Sequence, residues 1–243
     1  IRSRRRHRVD PDTAARWVSE ISRAVDYLHS QGVIHRDLKP SNILLDAEDR
    51  PLVTDFGLAR VLADESTRTA AGTIVGTPGY LSPEQAAGRE QDVTPRSDIF
   101  SLGVILYELL TGQAPFAADS PVEMLMRVLD AEPPPPSRID IWLPRDLDRI
   151  CLKCLAKNPH QRYDSAAELA DDLERFLRRE PVEVGPDGFW QRVRRWGRRQ
   201  PALVSRLVAL AVTAAAFEGS VWVAGADYPS QHLAIILVLA LWA

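Results

Sequence analysis

Residues 96–111 are apolar nearly all round a helix: Ile99, Phe100, Leu102, Val104, Ile105, Leu106, Leu109 and Leu110 leave little polar face. Such a helix belongs in a core, so the rest of the chain must wrap other elements around it. The wrapping material is legible. Residues 11–31 carry Trp17, Val18, Ile21, Ala24, Val25 and Leu28 on one stripe of helical period. Asp10 can cap that helix, Pro11 suits its first position, and Gly32 follows its end. Three more helical patterns fall near 121–130, 145–157 and 165–179. The short apolar runs VIH and NILL, around a polar turn, and then PLVTDFG, read as short strands flanking loops. Residues 61–82 have no periodicity and are rich in Thr, Ser, Ala and Gly, which predicts a mobile loop.

The 243 residues allow one or two domains, and a charged content of 26% argues against wholesale disorder. The two cysteines, Cys151 and Cys154, are spaced C-x-x-C. That spacing alone suits half a zinc site or a redox pair. No second C-x-x-C completes a metal site, and the surrounding apolar residues fall at helical spacing, which favours small buried thiols in a reducing, cytoplasmic setting.

A net charge of −3 points to no nucleic-acid partner. The charge is uneven, however: Arg192, Arg194, Arg195, Arg198, Arg199 and Arg206 fall within 189–206 with no acid among them. Pro181, Gly185, Pro186 and Gly188 precede that run as a linker, and the mostly apolar stretch from Ala202 to Ala226 is long enough to span a bilayer. Glu218 would sit well inside such a span, so a buried or interfacial amphipathic helix is the competing reading. A second apolar run starts near Leu233. The chain opens at Ile1 without an initiator Met and stops inside that run, so a fragment of something longer is expected.

The chemistry-bearing signal is H-R-D-L-K-P-S-N at residues 35–42, followed by D-F-G at 55–57 and S-P-E at 82–84. In this order and separation these motifs resemble the signature set of serine/threonine protein kinases, with S-P-E in place of A-P-E. The resemblance covers about residues 1–180. It implies a mainly α-helical large, C-terminal lobe with short strands at the cleft, and phosphoryl transfer from ATP to protein Ser or Thr hydroxyls. By resemblance Asp37 orients the substrate hydroxyl and accepts its proton, and Lys39 meets the transferring phosphoryl group. Asn42 and Asp55 would ligate Mg2+, a hard ion that prefers oxygen. Thr77, in G-T-P-G-Y, resembles the threonine that touches the catalytic aspartate and lysine.

Three further residues take structural roles by resemblance. Asp98 would hold the catalytic-loop backbone, and Glu84 with Arg162 would form a buried ion pair. Arg36 resembles the arginine that reads phosphate on a regulatory loop, with Ser66, Thr67, Thr69 and Thr73 as candidate acceptors; such a phosphate would order the loop.

The small N-terminal lobe of the family, with its Gly-rich loop, strand lysine and helix glutamate, is not found, since residues 1–10 are too short and basic to hold it. Little activity is therefore expected of this chain alone. The competing reading is a membrane-tethered pseudokinase or scaffold, against which the intact Asp37, Lys39, Asn42 and Asp55 argue. The expected organisation is a partial kinase lobe at 1–180, a basic juxtamembrane linker at 181–201, a transmembrane helix at 202–226 and the start of a second at 232–243. The arginine run before Ala202 places the kinase on the cytoplasmic side of the cell membrane and offers contacts to anionic lipid. This combination looks most like bacterial receptor-type kinases. Protein substrates, membrane lipid and a second copy for autophosphorylation are the expected partners.

Overall fold

The structure, a computed structural model, describes residues 8–55 and 78–184, all within a compact unit that spans Ile1–Pro186. The regulatory-loop residues Ser66, Thr67, Thr69, Thr73 and Thr77, the basic linker from residue 185 on and both proposed membrane segments lie outside the described residues. Among the described residues no helix is long and apolar enough to cross a membrane.

The chain begins with helix α1, Pro11–Ser30. The Asp10 carboxylate accepts from the N–H groups of Asp12 and Thr13, at 3.1 Å each, and so meets two of the donors a helix start leaves unpaired. Of the helix's apolar residues Ala14, Ala15, Trp17, Val18, Ile21 and Val25 are buried, Leu28 is half-buried, and Ala24, expected on the same stripe, faces solvent instead. The helix ends at Gln31, after which Gly32 turns with a φ of +74°, a conformation that suits glycine.

The expected strand at Val33–His35 does not form. Its backbone donors are committed elsewhere. Val33 N–H closes the end of α1 on Leu28 O at 3.0 Å, and His35 N–H points at the Asp98 carboxylate. The two strands that do form are β1, Ile43–Leu45, and β2, Pro51–Val53, an antiparallel hairpin with Leu44 opposite Leu52. Asp46 folds the connecting turn by accepting from the N–H groups of Glu48 and Arg50. The turn is pinned to α1 where Trp17 Nε1 donates to Asp49 O at 2.9 Å.

After a short helix α2, Pro83–Ala86, comes α3, Pro95–Thr111. It is the apolar helix of the sequence, and Ile99, Phe100, Leu102, Val104, Ile105 and Leu106 are all fully buried. Three helices follow: α4 at Pro121–Asp130, α5 at Arg145–Cys154 and α6 at Ala166–Leu177. Helices α1, α5 and α6 pack on α3, which is how an all-apolar helix is kept from water.

Helix α5 ends earlier than the expected residue 157: Ala156 N–H turns back onto Lys153 O, and Asn158 precedes Pro159, which disfavours helical backbone. Cys151 and Cys154 are fully buried on the α5 face toward α3, where burial pushes the Cys154 thiol up to about 12. Gly103 makes this approach fit, since a Cβ there would lie 2.5 Å from Cys154 Cβ. The C-x-x-C spacing is thus a packing feature.

Candidate active site

The segment from His35 to Asn42 leaves the end of α1 and is shaped by one buried side chain. Asp98, in the first turn of α3, is 1% exposed. Its Oδ1 accepts from Arg36 N–H at 2.8 Å, and its Oδ2 accepts from His35 N–H at 2.8 Å and from His29 Nε2 at 2.8 Å. Three donors on one carboxylate offset the cost of burying it. They also hold Arg36 at a φ of +67°, in the left-handed region that a non-glycine residue enters at a cost. Arg36 O is met in turn by Gln85 Nε2 at 2.8 Å, from α2. His35, itself fully buried, donates through Nε2 to Thr54 O at 3.0 Å and so ties the loop to the end of β2. Its Nδ1 accepts from Asp37 N–H at 3.4 Å, which is consistent with that tautomer.

This frame brings together four of the residues singled out in the sequence. Lys39 Nζ donates to Asp37 Oδ2 at 2.6 Å. Asn42 Nδ2 donates to the same oxygen at 3.1 Å and to Asp37 O at 2.9 Å. The amide nitrogen is thus committed to two acceptors, and the side-chain oxygen of Asn42 accepts from Ser41 Oγ at 3.2 Å. Asn42 O accepts from Thr54 N–H at 2.9 Å, which sets Asp55, the next residue, beside it. Asp55 is exposed, with a φ of +62°. Among the described residues nothing donates to Asp37 Oδ1.

The oxygen donors of Asn42 and Asp55 suit Mg2+, which is held by one or two side-chain oxygens and completes its shell with water and phosphate. Among the described residues no cluster of three or more His, Cys, Asp or Glu could hold a metal by itself. Asp37 can receive a hydroxyl on Oδ1 while Lys39 holds its other oxygen in place, and Lys39 adds a positive charge at the same point.

The Glu84–Arg162 pair is also present. Arg162 Nη1 and Nη2 meet the two Glu84 oxygens at 2.8 and 2.9 Å, and the side chains are 4% and 0% exposed. Ser97 Oγ donates to Glu84 Oε1 at 2.6 Å. The remaining guanidinium donors reach Ala156 O, Arg96 O and Lys157 O. Burial works to raise the Glu84 carboxyl, but the Arg162 bonds and charge, with Ser97, outweigh it and hold it below its usual value.

His29 and Gln85 were not found by sequence reasoning. His29 continues the buried stripe of α1 one turn beyond Val25, and a polar residue on an apolar stripe demands a partner. That signal was available, but the partner lies on another helix. The exposed pair Leu44 and Leu52, 54% and 52% accessible on facing strands, was missed as well.

A family model described as the protein kinase domain matches residues 1–173. The chain is 46% identical over 177 residues to serine/threonine-protein kinase PknB of Mycobacterium tuberculosis, and 44% identical over 174 residues to PknB of Mycobacterium leprae; each match covers 72% of this chain and 28% of the relative. A probable serine/threonine-protein kinase of Streptomyces coelicolor is 42% identical over 173 residues, covering 71% of this chain and 25% of that protein. The chain thus spans little more than a quarter of the curated relatives it matches. With the motifs, the helical fold and the Asp98-framed loop, these likenesses place it: the chain belongs to the protein kinase family, in its bacterial serine/threonine branch.

Proposed function

We propose that this chain is the large lobe of a protein kinase that transfers the γ-phosphoryl group of ATP to Ser or Thr hydroxyls of proteins. The observation that carries the reading is Asp37, with one carboxylate oxygen held by Lys39 and Asn42 and the other open. The open oxygen is where a substrate hydroxyl would dock and lose its proton. Lys39, already at the carboxylate, would follow the charge that develops on the phosphoryl group in a loose transition state. Asn42 and Asp55 would hold Mg2+, which when bound neutralises phosphate charge. The remaining work of the chain is positional: Asp98, His29, His35 and Gln85 keep the loop in a shape it would not hold alone.

The exposed Leu44 and Leu52 lie on the hairpin that follows Asn42. We assign their outer face to cover by the small lobe and the nucleotide base. The reading places the Gly-rich loop, strand lysine and helix glutamate on a part of the protein outside these 243 residues, and expects little transfer by this chain alone. It includes Thr77 beside Asp37, and Thr67, Thr69 or Thr73 as phosphate acceptors read by Arg36. The basic run and the apolar stretch 202–226 would tether the lobe to the cytoplasmic face of a membrane, in contact with anionic lipid. A second copy would serve as the partner in autophosphorylation.

The test is autophosphorylation of the full-length protein with ATP and Mg2+, beside its Asp37→Asn variant. Phosphate on Ser or Thr of residues 61–77, lost in the variant, supports the reading. No transfer and no nucleotide binding by the full-length protein would leave the scaffold reading in its place.

A further inference from the structure

The family match ends at residue 173, but the lobe does not stop there. Helix α6 closes with Arg179 N–H on Phe176 O and Glu180 N–H on Arg175 O, and the chain reverses at Arg179, whose φ is +61°. The Arg179 side chain fastens this reversal: its guanidinium meets Asp12 Oδ2 at 2.7 Å, at the start of α1, and lies over the Phe176 ring at 5.4 Å. Residues 180–184 then run back along α6 as far as Asp172.

Asp172 is 1% exposed and takes four donors. Two come from the lobe: Arg175 Nη1 at 3.0 Å on Oδ1 and Tyr163 OH at 2.8 Å on Oδ2. Two come from the returning chain: Glu183 N–H at 2.8 Å on Oδ1 and Val184 N–H at 3.3 Å on Oδ2. Glu183 adds a bond from its carboxylate to Arg175 Nη2 at 2.7 Å, and Val182 and Val184 pack against the core. A buried carboxylate is tolerated only when its oxygens are met. If the returning chain left, Asp172 would remain in an apolar setting with half its donors gone. The lobe therefore gains stability by keeping that chain in place.

We infer that residues 180–184 are a strap latched by Asp172, which fixes to the flank of α6 the point from which the basic linker leaves the lobe. The linker then begins after Val184 and not at Pro181, and residues 181–184 belong to the lobe. The inference rests on reading the residues beyond 184 as a linker.

Hydrogen exchange on the full-length protein, without ATP or membranes, tests the latch whether or not the protein transfers phosphate. The amides of Glu183 and Val184 should be protected. Asp172→Asn should speed their exchange about 10- to 100-fold and leave the amides of α3 unchanged. Should that variant loosen the whole lobe, Glu183→Pro decides. It removes the latched Glu183 N–H and the carboxylate bond to Arg175 without touching the core, and should speed Val184 exchange by a similar factor with the amides of α3 unchanged. Wild-type amides at 183 and 184 that exchange as in an open chain, or a Val184 amide as protected in Glu183→Pro as before, would overturn the proposal.

Discussion

Two acid–base pairs in this lobe make opposite use of the same chemistry. In Glu84–Arg162 both side chains are nearly inaccessible, both carboxylate oxygens are met, and the guanidinium also reaches three carbonyls. In Asp37–Lys39 the side chains are 41% and 28% exposed, and one carboxylate oxygen has no partner among the described residues. The first pair spends its bonding capacity inward and fixes where α2, the start of α3 and the segment before α6 meet. The second keeps capacity in reserve where solvent can reach it. Burial makes a lost partner costly, whereas exposure makes a pair worth little to stability. The contrast therefore predicts that stability and catalysis should separate between the two.

The sharpest test is Asp37→Asn in the full-length protein. Transfer should fall about 10²- to 10⁴-fold, while the thermal midpoint of the lobe moves little. A large drop in that midpoint would show Asp37 to be structural. The converse change, Arg162→Ala, leaves Glu84 buried and unpaired. It should cost about 3–5 kcal/mol of stability, read by chemical denaturation.

The same pair gives a pH signature. The folded Glu84 carboxyl is held below its ordinary value of 4.5. Its contribution is therefore fully present above that value and lost as pH falls through the lower, folded one. Glu84→Gln should flatten the acid limb of the stability profile below about pH 4.5 relative to the wild type. An unchanged limb would mean other carboxylates govern acid unfolding.

Asp98→Asn lies between the two cases, because Asp98 is buried like Glu84 but shapes the loop that carries Asp37. Replacing a carboxylate that accepts three bonds should cost about 2–3 kcal/mol and reduce transfer as well. Loss of either property alone would break the link from Asp98 to the loop. The smallest expected effect is at Gly103→Ala, where the added Cβ would press on Cys154 and cost about 1–3 kcal/mol. Transfer per folded molecule should not change, which would keep the α3–α5 contact on the structural side of the comparison.

Much of this lobe was legible before any coordinates. Helix periodicity and caps located α1, α3 and α4 closely, because a stripe of apolar residues and a capping Asp10 are properties of neighbours along the chain. The motif order placed Asp37, Lys39, Asn42 and Asp55 in one region, since the first three lie within six residues of sequence. The errors are instructive. Val33–His35 looks like a strand by composition but spends its amides on Leu28 and on Asp98. The expected linker start at Pro181 reads as loop by composition, yet Asp172 holds that stretch against the lobe.

What the sequence alone determined is therefore local: which segments are helical, which helix must be buried, and which side chains carry the chemistry. The family resemblance already pairs Glu84 with Arg162 and Asp98 with the loop backbone, and the tertiary structure has both pairings. It alone decided the partners that no motif named: Asp98 also accepts from His29, and Gln85 meets Arg36 O. No periodicity encodes such pairs, because each is fixed only when packing on α3 brings distant segments within hydrogen-bonding distance and removes the water that would otherwise satisfy them.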